Sequence, residues 1–124
     1  MTRDEVMLWV DAYEQGWRAE DRSAMERLFT ESAQYLRSPY ASPMVGHAAI
    51  RDFWVDDDED GSVFTMSAEP VAVDGSSAAV RVLVRYGEPV TQEYRDLWVL
   101  RFAEDGRVDH FEEWAYWPDK PYTV

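Results

Sequence analysis

The second half of the chain alternates between apolar and polar positions. In Tyr94-Arg95-Asp96-Leu97-Trp98-Val99-Leu100-Arg101-Phe102 one set contains Tyr94, Asp96, Trp98, Leu100 and Phe102, and the other contains Arg95, Leu97, Val99 and Arg101. Successive side chains of a strand point to opposite faces, so this period of two predicts a strand over 91–102 with one strongly aromatic face. The same reading predicts strands over 63–73, 78–86 and 107–117, with Val80, Val82, Val84 and Tyr86 opposed to Arg81, Leu83 and Arg85. Asp74-Gly75 and Asp105-Gly106 carry hairpin signals between them, and Gly87-Glu88-Pro89 turns the chain.

The first half has helical spacing. Thr2-Arg3-Asp4-Glu5 has the form of a capping box, and Val6, Val10, Tyr13 and Trp17 follow on one stripe. Ser23-Ala24-Met25-Glu26 repeats the capping-box form and predicts a short helix burying Met25, Leu28 and Phe29. A short strand is predicted over 33–37, then loop over 40–46. A third helix over 47–55 would bury Ala49, Ile50, Phe53 and Trp54 and end at the acidic run Asp56-Asp57-Asp58-Glu59-Asp60. Three helices followed by an antiparallel meander predict an α+β fold, with a pocket between a twisted sheet and its helices. No repeat or linker divides residues 1–124, which have the length of one domain.

Asp96 breaks the apolar pattern of its face. A buried carboxylate is costly unless it is paired, protonated or wetted by a pocket. Pairing would be structural, with Arg37 or Arg85 as the candidate cation; the other two outcomes point to function.

Composition narrows the classes. A net charge of −13 excludes nucleic-acid binding through a basic surface. The acidic run reads as a solvated loop, because the spaced oxygen ligands and central glycine of a calcium loop are missing. The absence of cysteine removes disulfides, thiolate metal sites and a cysteine nucleophile. A charged N-terminus without an apolar run, and no stretch of membrane-spanning length, lead to the expectation of a cytoplasmic protein without membrane contact. His47 reads as a cap or solvated residue, and His110 as exposed or at a subunit contact, so no metal site is expected. The serines lack the glycine-flanked turn and paired histidine of a hydrolase, and no phosphate-binding glycine loop is present. Six Trp, seven Tyr and five Phe suit either a thick aromatic core or a cavity lined by rings.

A family resemblance rests on two stretches. Tyr13, Asp21, Leu28-Phe29, Ala33, Pro43 and Gly46-His47-Ala48-Ala49-Ile50-Arg51-Asp52-Phe53-Trp54 resemble the N-terminal half of the nuclear transport factor 2-like superfamily, with SnoaL-like proteins and ketosteroid isomerases as relatives. Trp98 to Phe102, Asp105 to Val108 and Phe111 to Trp114 resemble its last hairpin. The resemblance implies a cone-shaped curved antiparallel sheet closed by three N-terminal helices around a pocket. It does not fix an activity, because that fold serves isomerases, cyclases, dehydratases, an epoxide hydrolase and non-catalytic binders.

Residue by residue, the resemblance places Tyr13 at the tyrosine that donates to an enolate oxygen in the isomerases. It places Arg37 at their general base and Trp98 at their second oxyanion donor, both aspartates there. Arginine cannot serve as a base near neutral pH, and indole only donates, so that isomerase mechanism is not expected. Glu113 lies near a last-strand carboxylate used by epoxide hydrolases and some cyclases, with Glu112 as the alternative inward residue.

The resulting expectation is a cofactor-independent protein that binds a small apolar organic ligand and is homodimeric. If it is an enzyme, it isomerises, cyclises, dehydrates or hydrates that ligand. Asp96 and Glu113 are the proton-transfer candidates, Tyr13 the hydrogen-bond donor and Arg37 the charge partner. Tyr35, Phe53, Trp98 and Phe111 would form the apolar wall, with Trp17 near the mouth. The alternatives are a binding module, or a pocket plugged by Trp98 and other rings that serves dimerisation.

Overall fold

A computed structural model describes residues 1–56 and 63–122. The chain folds as α1 (Arg3–Arg18), α2 (Ala24–Leu28), β1 (Phe29–Leu36), β2 (Met44–Val45), α3 (Gly46–Asp56), β3 (Phe64–Asp74), β4 (Ser77–Tyr86), β5 (Gln92–Phe102) and β6 (Val108–Tyr116). One six-stranded sheet has the order β2-β1-β6-β5-β4-β3. Of the run Asp56 to Asp60, read above as a solvated loop, Asp56 is the last residue of α3 and the rest lies outside the described residues.

The capping box at Thr2 forms as the sequence implies. The Thr2 hydroxyl accepts from the Glu5 N–H, and the Glu5 carboxylate accepts from the Thr2 N–H. The one at Ser23 does not form. The Ser23 hydroxyl donates to Asp21 Oδ1 at 2.6 Å instead, so the helix opens without a side-chain cap. Phe29 is fully buried but belongs to β1, which begins four residues earlier than the periodicity suggests. Residues Met44 and Val45, expected in a loop, pair with Tyr35 and Gln34. Around the first hairpin Asp74 pairs with Ser77, so the turn residues are Gly75 and Ser76, one step later than expected; Gly75 adopts φ 58°, where glycine is at no disadvantage.

β3 to β6 form the expected antiparallel meander. The sheet is not antiparallel throughout, because β1 runs parallel to β6, joining Tyr35 to Phe111 and Leu36 to Glu112. The helices cover one face. Trp9, absent from the stripe read above, is buried beneath α1 with its indole N–H bonded to the Leu28 carbonyl at 2.9 Å. Its ring meets Phe29, Phe102 and Phe111 at centroid distances of 5.6–6.1 Å. Gly16 allows α1 to close on its neighbours: a Cβ there would lie 2.9 Å from the Cβ of Ala24 and 3.7 Å from the Trp54 ring.

Candidate functional site

The sheet register builds the site in rows. Trp98 faces Val80 on one side and Glu113 on the other; Asp96 faces Val82 and Ala115; Tyr94 faces Val84. Paired residues share a face, so Glu113 lies on the face of Asp96 and Trp98, while Glu112 lies opposite, beside Val99. There Glu112 accepts from the Trp114 indole at 3.1 Å and contacts His110 at 2.9 Å. Burial raises the Glu112 carboxyl, but these two partners outweigh it and hold it below its usual range. His47 is engaged with the Phe29 carbonyl at 2.7 Å.

The Asp96 row is lined by short side chains. Val82 and Ala115 flank the carboxyl, and neither reaches far above the sheet. A cavity of about 150 Å³ opens there. From α1 it is lined by Tyr13 and Trp17, and after β1 by Arg37. Across the sheet it is lined by Asp96, Trp98, Glu113 and Ala115. Its rim is aromatic: Phe64, Tyr86, Tyr94 and Trp117 follow one another at centroid distances of 5.6–5.9 Å. Arg18 pins the rim to the end of α1, donating to the Phe64 carbonyl at 3.0 Å and lying 4.1 Å over the Phe64 ring.

Asp96 is 8% exposed. The Trp98 indole donates to its Oδ2 at a long 3.4 Å, and its Oδ1 has no hydrogen-bond partner. The expected ion pair does not form. Arg85 pairs with Glu93 at 2.8 Å on the outer face, and exposed Arg37 lies 4.8 Å over the Phe53 ring instead of meeting Asp96. Burial first, and the Glu113 carboxylate second, push the Asp96 carboxyl from its ordinary 3.8 up to about 7, with the Trp98 N–H acting weakly the other way. A group so placed is neutral at mildly acid pH and ionises near neutrality.

Glu113 is held by a phenol. The Tyr35 hydroxyl donates to Glu113 Oε2 at 2.7 Å and touches the Tyr13 hydroxyl at 3.3 Å. Tyr35 has one proton and directs it at Glu113, so Tyr13 is the donor in the second contact. Burial, then the Glu113 charge and Tyr13, push the Tyr35 phenol well above 10, so it stays a donor. Tyr35 is thus a polar support rather than an apolar wall.

The structure brings Tyr13, Trp17, Arg37, Asp96, Trp98 and Glu113 together at one cavity. Tyr35, Phe53 and Phe111 are not on its lining. Phe111 and Tyr35 are fully buried behind it, stacked 4.6 Å apart, and Phe53 packs on Tyr35 at 5.3 Å. The rim residues Phe64, Tyr86, Tyr94 and Trp117 were not singled out by the sequence. Tyr94 and Tyr86 carried a usable signal, since both continue the inner faces of their strands; Phe64 and Trp117, at strand ends, carried none. Among the described residues no group of three or more His, Asp and Glu side chains is placed to share a metal ion. No described helix is long and apolar enough to cross a membrane.

A curved sheet with helices on one face and a cavity at one end defines an α+β cone of the cystatin-like kind. The chain belongs to the SnoaL-like domain family, whose pattern matches residues 10–111. Solved structures share the fold. RV0760c from Mycobacterium tuberculosis aligns over 94% of this chain and 97% of its own at 17% identity, with a TM-score of 0.71. The same protein has been crystallised with estradiol-17beta-hemisuccinate. A candidate polyketide cyclase from Sinorhizobium meliloti aligns over 85% and 92% at 24% identity, TM-score 0.61. A protein of ketosteroid isomerase-like fold from Catenulispora acidiphila, in complex with trimethylamine, aligns over 86% and 83% at 15% identity, TM-score 0.69. Such identities establish the fold alone. No curated protein matches the chain.

Proposed function

We propose that this protein binds a small organic molecule with a largely apolar body in the cavity above Asp96, and acts on it by acid/base chemistry without a cofactor. The observation that carries the reading is the Asp96 carboxyl: buried at the cavity, unpaired by any cation among the described residues, and ionising at about 7. A proton-transfer group works best when its pKa lies near the working pH. Structural carboxylates, by contrast, are usually held low by a cation.

The roles divide by environment. Asp96 takes or gives the proton. Glu113, fixed by the Tyr35 phenol, supplies a second carboxylate that keeps Asp96 basic. Trp98 and Tyr13 place rings against the bound molecule, and Arg37 at the exposed side offers charge. The bound small molecules of the relatives support a ligand site in this fold. At about 150 Å³ the cavity has the volume of one that accepts benzene, so a single ring fits inside and a larger ligand would protrude.

The test is α-proton exchange of single-ring ketones in heavy water, followed by NMR. The expected result is exchange above the buffer rate that increases as pH rises through about 7 and disappears in Asp96→Asn. Exchange equal in wild type and Asp96→Asn across the series would overturn the acid/base reading. Absence of any change in tryptophan fluorescence on adding the ketones would overturn the binding reading as well.

A further inference from the structure

The arginines of the sheet fall into two groups. On β4 and β5, Arg81, Arg85, Arg95 and Arg101 each meet a carboxylate of Glu69, Glu93 or Asp109 at 2.8–3.4 Å. Arg37, directly after β1, has no carboxylate partner among the described residues, although the chain carries 25 acidic side chains against 12 basic ones. Its guanidinium lies 4.8 Å over the Phe53 ring. Such a contact steadies the planar fork and leaves its N–H groups unspent. Leu36 pairs with Glu112, which brings the next residues of the two strands, Arg37 and Glu113, to the same cavity. Among the described residues Arg37 is the single Arg or Lys on its lining.

The interior is unsuited to an anion. Its walls include the rings of Tyr13, Trp17 and Trp98, and its carboxyl groups are Asp96 and Glu113, the latter already served by the Tyr35 phenol at 2.7 Å. An ionised group placed there would lose its water without gaining a cation. At Arg37 the balance is reversed. That side chain is exposed, so an anion beside it keeps part of its hydration and gains charge-assisted hydrogen bonds from a fork shaped for a carboxylate. The site is therefore divided, with an apolar, ring-lined interior and an uncommitted cation on the solvent side.

We infer that the cavity binds a small organic acid, with a compact apolar body of about one ring against Tyr13, Trp17 and Trp98 and its carboxylate outside, on Arg37. The inference rests on the small-molecule reading above and names the ligand class for the same site. A volume of about 150 Å³ holds a single ring, so the carboxylate stands on a short tether at the mouth. Arg37 thereby decides which end of the ligand enters, and the apolar end goes in first.

Phenylacetate and 3-phenylpropionate test two tether lengths, each against its neutral amide, with phenethylammonium as the cation. Each probe is titrated into the intact protein by calorimetry at about pH 6, where Asp96 is mostly neutral and the two acids are ionised. At least one acid is expected to bind about tenfold tighter than its amide, and phenethylammonium more weakly than either acid. In Arg37→Met, which keeps an apolar stem against Phe53, the acid-to-amide ratio should fall to about one. Should that variant not fold, Arg37→Lys decides: it keeps a charge without the fork, and the ratio should fall about threefold.

Acids that bind no tighter than their amides, an acid-to-amide ratio unchanged by either substitution, or tightest binding of phenethylammonium would overturn the organic-acid inference while leaving a small-molecule site in place. No binding of either acid would also overturn it, and the ketone experiment then decides the parent reading separately.

Discussion

The inner face of the sheet has two ends built on the same strands with opposite results. At one end Leu100, Phe102, Val108 and Phe111 are 0–4% exposed, roofed by Trp9 of α1 and by Phe29. At the other, Asp96, Tyr94, Val84, Met66 and Glu113 surround open space. The alternation along β5 is continuous through both. What differs is the row partner and the cover. Leu100 stands beside Phe111, which fills the space above the sheet, whereas Asp96 stands beside Ala115, which does not. A fold of this kind keeps stability at one end and a costly carboxyl at the other, because a charge is tolerated only where the roof is incomplete.

Substitutions at the two ends should therefore separate. Phe111→Ala, at the filled end, is expected to lose about 3–5 kcal/mol in urea denaturation, since its ring stacks on Tyr13 and Tyr35 with no exposure. A loss under about 1 kcal/mol would show that this end is not the core.

Asp96→Asn, at the open end, should act with the opposite sign. Below about pH 3 the carboxyl is neutral in folded and unfolded chains alike. As pH rises, the unfolded group ionises near 3.8 and the folded one only at about 7, so the native state loses stability across that window. Asparagine removes this penalty, and the variant should gain on the order of 2–4 kcal/mol at about pH 8 and nothing at about pH 3. A buried ion pair would instead give a loss of about 3–5 kcal/mol on removal of one partner, so the sign of the change at pH 8 decides between them.

Tyr35→Phe lies between the ends. It removes the donor to Glu113 and the acceptor for Tyr13, and should cost about 1–3 kcal/mol in thermal or urea unfolding. An unchanged stability would mean that water replaces the phenol. Arg81→Ala, on the outer face, breaks a 3.0 Å pair with Glu69 in which the two side chains are 67% and 65% exposed. A change within about 0.5 kcal/mol is expected. A loss well above that in the same denaturation measurement would show that the outer face is covered in solution.

Local chemistry was read well where it needed only near neighbours. The Thr2 capping box, the alternation of β4 and β5, and the turn between β5 and β6 depend on contacts a few residues apart, and they form as read. Ser23 shows the limit: its box had the right letters, but Asp21, two residues before it, offers a closer acceptor at 2.6 Å. Phe29 shows another, because its burial fitted a helix stripe and an inner strand position equally. At the site, Asp96 was visible as a charge on an apolar face, but its lack of a cation was not. Arg37 and Arg85 were both plausible partners until the fold turned one onto Phe53 and the other onto Glu93.

Periodicity and turn residues by themselves determined the α+β class, the meander and the face on which Asp96 stands, because a period of two leaves a side chain only two directions. Tertiary structure alone decided the parallel pairing of β1 with β6, the phenol that holds Glu113 from 78 residues away, and the empty space over Ala115. Those depend on which distant side chains meet and how large they are. The role proposed for Asp96 rests on them: a carboxyl is structural or reactive according to what the fold sets beside it, and here it sets burial, a second carboxylate and a ring-lined cavity.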